Sequence, residues 1–216
     1  SITRVPISTI INGTTIRASR MNFPPILIGY SQSSPIISSN SITVYDSSEG
    51  NAAILVADVG TRNPFIHNNT ITIGDNSLLH TTTGSGIISN AMGNNGEGNH
   101  IVGNTIRMND AGQTGYSSAS AIKLSGGNSF VSSNDIIINN PRTYGIVFSG
   151  LSSILRNITI QNNSVLGGAI PIFVVKVHDV NILNNTISGN DYPTTSQMDS
   201  PSLLLEKASG TNVIRG

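Results

Sequence analysis

Six times along this chain an asparagine stands inside the same short frame of apolar and small polar residues. Ile37-Ser38-Ser39-Asn40-Ser41-Ile42 matches Ile66-His67-Asn68-Asn69-Thr70-Ile71 and Ile101-Val102-Gly103-Asn104-Thr105-Ile106. The frame returns as Val131-Ser132-Ser133-Asn134-Asp135-Ile136, Ile160-Gln161-Asn162-Asn163-Ser164-Val165 and Ile182-Leu183-Asn184-Asn185-Thr186-Ile187. A degenerate first copy, Ile11-Asn12-Gly13-Thr14-Thr15-Ile16, puts Thr14 at the key position, and Val213-Ile214-Arg215-Gly216 looks like the opening of a further copy. The key positions are spaced 26, 29, 35, 30, 29 and 22 residues apart. A constant frame in a period of variable length is the pattern of a solenoid with fixed strands and loops of changing length.

Each period holds a second apolar segment. In order these are Ile26-Leu27-Ile28, Ile54-Leu55-Val56, Ile87-Ile88, Ile122-Lys123-Leu124, Ile146-Val147-Phe148, Ile172-Phe173-Val174 and Leu203-Leu204-Leu205. With the strands on either side of the asparagine, this makes three strands of a few residues per turn. Such strands cannot fold alone; stacked turns pair their backbones with the turns above and below, about 4.8 Å away. An inward asparagine at a bend reaches the asparagine of the next turn through its amide, which satisfies buried polar groups along the axis. The β-branched content and the frequent Gly, Asn and Ser exclude a helical reading, and the leucine pattern of leucine-rich repeats is absent. The expectation is an all-β chain, one parallel β-helix of about seven coils spanning 1–216. Stopping inside a repeat points to a piece of a longer chain.

The repeat resembles the pectin-lyase-like right-handed parallel β-helix family over nearly the whole chain, and its N-N-T-I style is similar to phage tailspikes, bacterial β-helix adhesins and polysaccharide-modifying enzymes. The resemblance implies recognition, with endo-hydrolysis, of a bacterial surface polysaccharide, a homotrimer, and a place on a virion tail or another extracellular surface. The alternatives it leaves open are a non-catalytic shaft or adhesin and a polysaccharide lyase or epimerase. Asn-Thr-Asp, Asp-Asp, Gly-His-Gly and Arg-Ile-Lys, the polygalacturonase-like signature, are missing; Ser133-Asn134-Asp135 is a shadow of the first. The Arg and paired-Asp pattern of calcium-dependent pectate lyases is not recognisable.

Composition narrows the classes further. Charged residues are 10% of the chain and the formal net charge is zero, so the clustered Lys and Arg that a nucleic-acid partner requires are missing. No stretch approaches the roughly 20 apolar residues of a membrane-spanning helix, so no membrane insertion is expected. With no cysteine, disulfides, thiolate metal sites and a cysteine nucleophile are excluded together. With no Trp, and five Tyr and five Phe, few aromatic rings are present to stack on sugars.

Two columns carry the functional expectations. If Ile54 and Val56 point inward, Leu55 points outward, and the same alternation puts Ile88, Lys123, Val147, Phe173 and Leu204 on an outer face. A column of large apolar groups is a contact surface, covered either by sister subunits of a trimer or by a segment of the same chain. The second column lies six residues past each key position: Asp46, Asp75, Asp110, Asn140, Ala169 and Asp191. Carboxyls on successive coils would stand about 4.8 Å apart, against about 5–5.5 Å in retaining and 6.5–9.5 Å in inverting glycosidases. Crowding raises one carboxyl pKa and separates acid from base. Asp46, Asp75 and Asp110 are therefore the candidate catalytic residues, with Glu49, Arg107 and Asp191 as substrate-binding candidates. The competing reading is that these Asp and Asn side chains only cap turns. A stacked Asp column would suit Ca²⁺, but no calcium-repeat motif accompanies it, so neither metal nor cofactor is expected.

A lyase would need a base, and Lys123 with Arg107 is the nearest basic pair. His67 should face outward, and His100 aligns with Phe65 and Phe130 in an aromatic stack. His178-Asp179 should sit at a turn near Arg156, as an acid/base pair without an accompanying nucleophile or simply as a hydrogen-bonded turn.

Overall fold

The computed structural model describes residues 9–18, 23–29, 34–45, 52–57, 63–74, 84–91, 98–109, 119–139, 143–149, 154–189 and 203–216. The first coil comprises β1 (Ile10–Asn12), β2 (Thr15–Ala18) and β3 (Ile26–Ile28), and the second β4 (Ile36–Ser38), β5 (Ser41–Val44) and β6 (Ala52–Val56). The third follows with β7 (Phe65–His67), β8 (Thr70–Ile73) and β9 (Ser85–Ser89), and the fourth with β10 (His100–Val102), β11 (Thr105–Met108) and β12 (Ser120–Leu124). The fifth holds β13 (Phe130–Ser132), β14 (Asp135–Ile138) and β15 (Tyr144–Ser149), and the sixth β16 (Leu155–Gln161), β17 (Ser164–Gly167) and β18 (Ile172–Val175). The seventh holds β19 (Val177–Leu183), β20 (Thr186–Ser188) and β21 (Leu203–Glu206), and β22 (Ser209–Arg215) lies on it.

Every third strand pairs in parallel, which makes three sheets. Sheet A runs β1-β4-β7-β10-β13-β16-β19-β22, sheet B runs β2-β5-β8-β11-β14-β17-β20, and sheet C runs β3-β6-β9-β12-β15-β18-β21. The chain is a right-handed parallel β-helix of seven coils with three strands each. The expected alignment of the frames holds residue for residue: Ile37 pairs with Ile66, Ile66 with Ile101, Ile101 with Val131 and Val131 with Ile160.

Alternation sends every second side chain to the axis. Ile37, Ile66, Ile101, Val131 and Ile160 from sheet A meet Ile42, Ile71, Ile106, Ile136 and Val165 from sheet B, all buried. Sheet C closes the core with Ile54, Ile87, Ile122, Ile146 and Ile172. β-branched side chains, stiff at χ1, suit this stacking because each lies on its own kind in the next coil.

At the corner between sheets A and B the chain bends through one left-handed residue. Gly13, Ser39, Asn68, Gly103, Ser133, Asn162 and Asn184 all have φ between 52° and 66°. This conformation favours Gly and Asn, which explains the residue types directly before each key position. The key asparagine then points inward. The Nδ2 of Asn40 donates to Asn69 Oδ1 (2.9 Å), Asn69 to Asn104 (3.0 Å), Asn104 to Asn134 (3.0 Å), Asn134 to Asn163 (2.9 Å) and Asn163 to Asn185 (2.9 Å). The same Oδ1 atoms accept the backbone N–H of the preceding asparagine at 2.9–3.0 Å. Thr14 begins the ladder by donating its backbone N–H to Asn40 Oδ1. A shorter ladder, Ser89–Asn99–Ser129, lies at the approach to sheet A, where Asn99 Nδ2 donates to Ser129 Oγ at 3.0 Å.

Candidate functional site

Asp46, Asp75, Asp110, Glu49 and Asp191 lie outside the described residues, as does Asn140. The register of their column reaches the residue before each of the first three. The N–H of Tyr45 donates to Ala18 O, Gly74 to Val44 O, Asn109 to Ile73 O and Asn139 to Met108 O, at 2.7–3.0 Å. Asn139 Nδ2 also donates to Asn109 Oδ1 at 3.0 Å, so the outer edge of sheet B carries an exposed amide pair one residue ahead of the carboxylate positions. Arg107 is described: it is exposed on β11, between Thr72 and Ile137 in register. Lys123 stands on sheet C between Ile88 and Val147, so strand pairing gives the two basic residues different neighbours on different sheets.

The outer column of sheet C is in the expected register: Leu27, Leu55, Ile88, Lys123, Val147, Phe173 and Leu204 follow one another on successive coils. Leu27 is 53% exposed, and Leu55, Ile88, Lys123, Phe173 and Leu204 are half-buried. Val147 departs from the expectation of a water-facing group: it is buried, shielded between Lys123 and Phe173. The Lys123 stem has apolar neighbours on both sides and its ammonium can still reach water. Tyr144 stacks on Phe173 with ring centroids 5.7 Å apart.

On the outer face of sheet A the inward Ile66 leaves Phe65 and His67 pointing out, as expected for His67. Phe65, His100 and Phe130 occupy one column on successive coils. Their ring centroids are 6.0 Å apart for Phe65–His100 and 6.2 Å for His100–Phe130, and His67 packs on Phe65 at 4.4 Å. Phe65 is 37% exposed and the other three rings are half-buried. Edges and faces of four rings thus form one shallow surface, with imidazole nitrogens among apolar carbon. That surface offers apolar area and hydrogen-bonding groups together, as recognition of a polyhydroxylated ring requires.

Further along sheet A, His178 and Asp179 lie within β19 rather than at a turn. Asp179 has φ of 60° and sits at a register shift, where β22 carries one extra residue opposite it. The shift brings Ser209 into register with His178. His178 Nδ1 lies 3.0 Å from Ser209 Oγ, and His178 Nε2 lies 3.3 Å from Asp179 Oδ2. Asp179 Oδ1 accepts the Thr211 N–H at 2.8 Å. The hydroxyl beside the His-Asp pair comes from Ser209 on the neighbouring strand β22, 31 residues further along the chain. Arg156, exposed on β16, is in register with His178 on the other side.

Among the described residues no cluster of three His, Asp or Glu could hold a metal ion. No described helix is long and apolar enough to cross a membrane. Comparison of the chain with protein-family models, curated proteins and solved structures finds no match.

Proposed function

We propose that this chain is the polysaccharide-recognising β-helix of a phage tailspike-like, pectin-lyase-like protein, assembled as a homotrimer and displayed on a virion tail or another extracellular surface. The supporting observation is the outward row of Phe65, His67, His100 and Phe130 on a sheet with little charge. Sugar rings carry C–H faces that pack on aromatic carbon and hydroxyls that need polar partners; this row offers both. A bacterial surface polysaccharide lying along the coil axis would cross the row one coil at a time. Because the rings are held by backbone pairing and a buried amide ladder, little ordering entropy opposes binding. The catalytic extension is endo-hydrolysis by Asp46, Asp75 and Asp110.

A glycan array of bacterial capsular and O-chain polysaccharides tests the reading. Binding by the unaltered chain that weakens about threefold to tenfold for each of Phe65→Ser and Phe130→Ser, the worth of one aromatic contact, supports it. Equal binding by chain and variants removes the row from the proposal, and no binding to any polysaccharide removes the recognition role. A second reading, a non-catalytic shaft or adhesin, is favoured by the Asn109–Asn139 pair, in which two amides bond to each other along the same edge.

A further inference from the structure

His178 stands between Ser209 and Asp179, in an order suited to proton transfer. Ser209 Oγ lies within hydrogen-bond distance of His178 Nδ1, at 3.0 Å, and His178 Nε2 lies in ion-pair contact with Asp179 Oδ2, at 3.3 Å. Nucleophilic hydroxyls are activated when a base lies within hydrogen-bond reach and a third group orients that base. Here Nδ1 faces the serine and Nε2 the carboxylate, so one tautomer serves both contacts. The carboxylate is itself fixed, because its other oxygen holds the Thr211 N–H at 2.8 Å.

The backbone is shaped around this contact. A bulge adds one residue to β22 opposite Asp179, and bulges re-aim side chains. Gly210, at φ 75°, lies in the bulge; a Cβ there would press on Asp179 Oδ1 and stand 2.8 Å from His178 Cε1 and 2.9 Å from Nε2. Glycine suits this backbone conformation and leaves both side chains their place. Ser209 is exposed, so its hydroxyl is open to substrate. A longer contact, Ser209 Oγ to Val177 O at 3.4 Å, competes for the hydroxyl proton and holds it when the imidazole is protonated. The charged groups facing His178 are Asp179 on its own strand and Arg156 in register on β16. Residues 209–214 of β22 carry no ionisable side chain, and Glu206 and Lys207 pair with each other at 3.6 Å.

We propose that Ser209, His178 and Asp179 form a hydrolytic acyl-transfer site for carboxylic esters that carry a small acyl group on a larger body. Ser209 Oγ attacks the ester carbonyl carbon while its proton passes to His178 Nδ1. Collapse of the tetrahedral adduct breaks the bond to the alcohol oxygen, which leaves with that proton. Water, deprotonated by the same nitrogen, then attacks the acyl-serine, releasing the carboxylic acid and restoring Ser209. Asp179 is a positioning residue that keeps Nε2 protonated and stabilises the imidazolium. The trio stands on an open outer sheet face, which suits a small acyl group whose carrier lies outside. This inference does not depend on the polysaccharide reading.

The test uses the whole chain with a fluorophosphonate probe and, separately, p-nitrophenyl acetate. The expected result is a covalent phosphonyl adduct located at Ser209 by mass spectrometry. Labelling should slow roughly a hundredfold or more in His178→Ala, the contribution of a positioned general base. Asp179→Asn should slow labelling by lowering the rate at saturating probe rather than probe affinity, and Asp179→Glu should restore part of that rate. A residue that merely clamps the bulge would give no such split between rate and affinity. No adduct at Ser209 of the unaltered chain overturns the proposal, as does ester hydrolysis by Ser209→Ala at the original rate.

Discussion

Replacing Asn104 by alanine tests whether the amide ladder or the apolar stack holds the coils in register. Asn104 is fully buried. Its Oδ1 accepts the N–H and the Nδ2–H of Asn69, each at 3.0 Å, and its Nδ2 donates to Ile66 O at 2.9 Å and Asn134 Oδ1 at 3.0 Å. The substitution deletes these four bonds and a longer one from Nδ2 to Val102 O at 3.3 Å, and leaves the Asn69 backbone N–H buried without its acceptor. At about 1 kcal/mol net per bond and 1–3 kcal/mol for an orphaned buried donor, partly offset by relaxation, the loss should be about 3–5 kcal/mol. Asn139→Ala is the control. It also removes an amide–amide bond, to Asn109 at 3.0 Å, but at an exposed position, where water replaces the partner and the cost should stay below about 0.5 kcal/mol. Urea unfolding at matched m-values measures the difference, and hydrogen exchange at Asn69 locates it. If the two variants unfold within about 1 kcal/mol of each other, burial is not what makes these amides matter, and the explanation of the asparagine repeat fails.

Other perturbations address packing, assembly and chemistry. Gly145→Ala would push a Cβ into Pro171 O and to 2.7 Å from Val165 Cγ1; overpacking should cost about 1–3 kcal/mol, read as a fall in Tm. Leu55→Asp with Phe173→Asp places two charges in the outer stripe of sheet C and should convert trimers to monomers in sedimentation velocity; an unaltered chain that is already monomeric at micromolar concentration refutes the trimer. Asp75→Asn or Asp110→Asn should abolish depolymerisation of a host polysaccharide, measured by size-exclusion chromatography. Unchanged cleavage would return the acidic column to turn capping.

The fold was legible because it repeats. The offsets read from the sequence are those of the ladder itself: the bonds from Thr14 to Asn40, Asn40 to Asn69, Asn69 to Asn104, Asn104 to Asn134, Asn134 to Asn163 and Asn163 to Asn185 span 26, 29, 35, 30, 29 and 22 residues. A one-residue slip would turn Ile66 or Ile101 to solvent, so register follows from hydrophobic pattern alone. The exposure of Val147 was not legible in the same way. Alternation states which side of the sheet a residue faces, but its neighbours Lys123 and Phe173 decide how much water reaches it. The left-handed column ahead of each key asparagine had a signal, the Gly, Asn and Ser preference of positive φ.

The site on β19 and β22 shows why chemistry escapes a reading built on periodicity. Ile214 aligns with Ile182 and Val213 with Asn181, an offset of 32 residues. Carried back to His178, that offset lands on Gly210, which has no side chain. The bulge at Asp179 shortens it to 31 residues, so the imidazole meets Ser209 instead. A perfect repeat stacks like on like, as Ile does on Ile and Asn on Asn. At β19 and β22 three unlike groups meet where the repeat is broken, and a departure from register of this kind leaves no trace in the period.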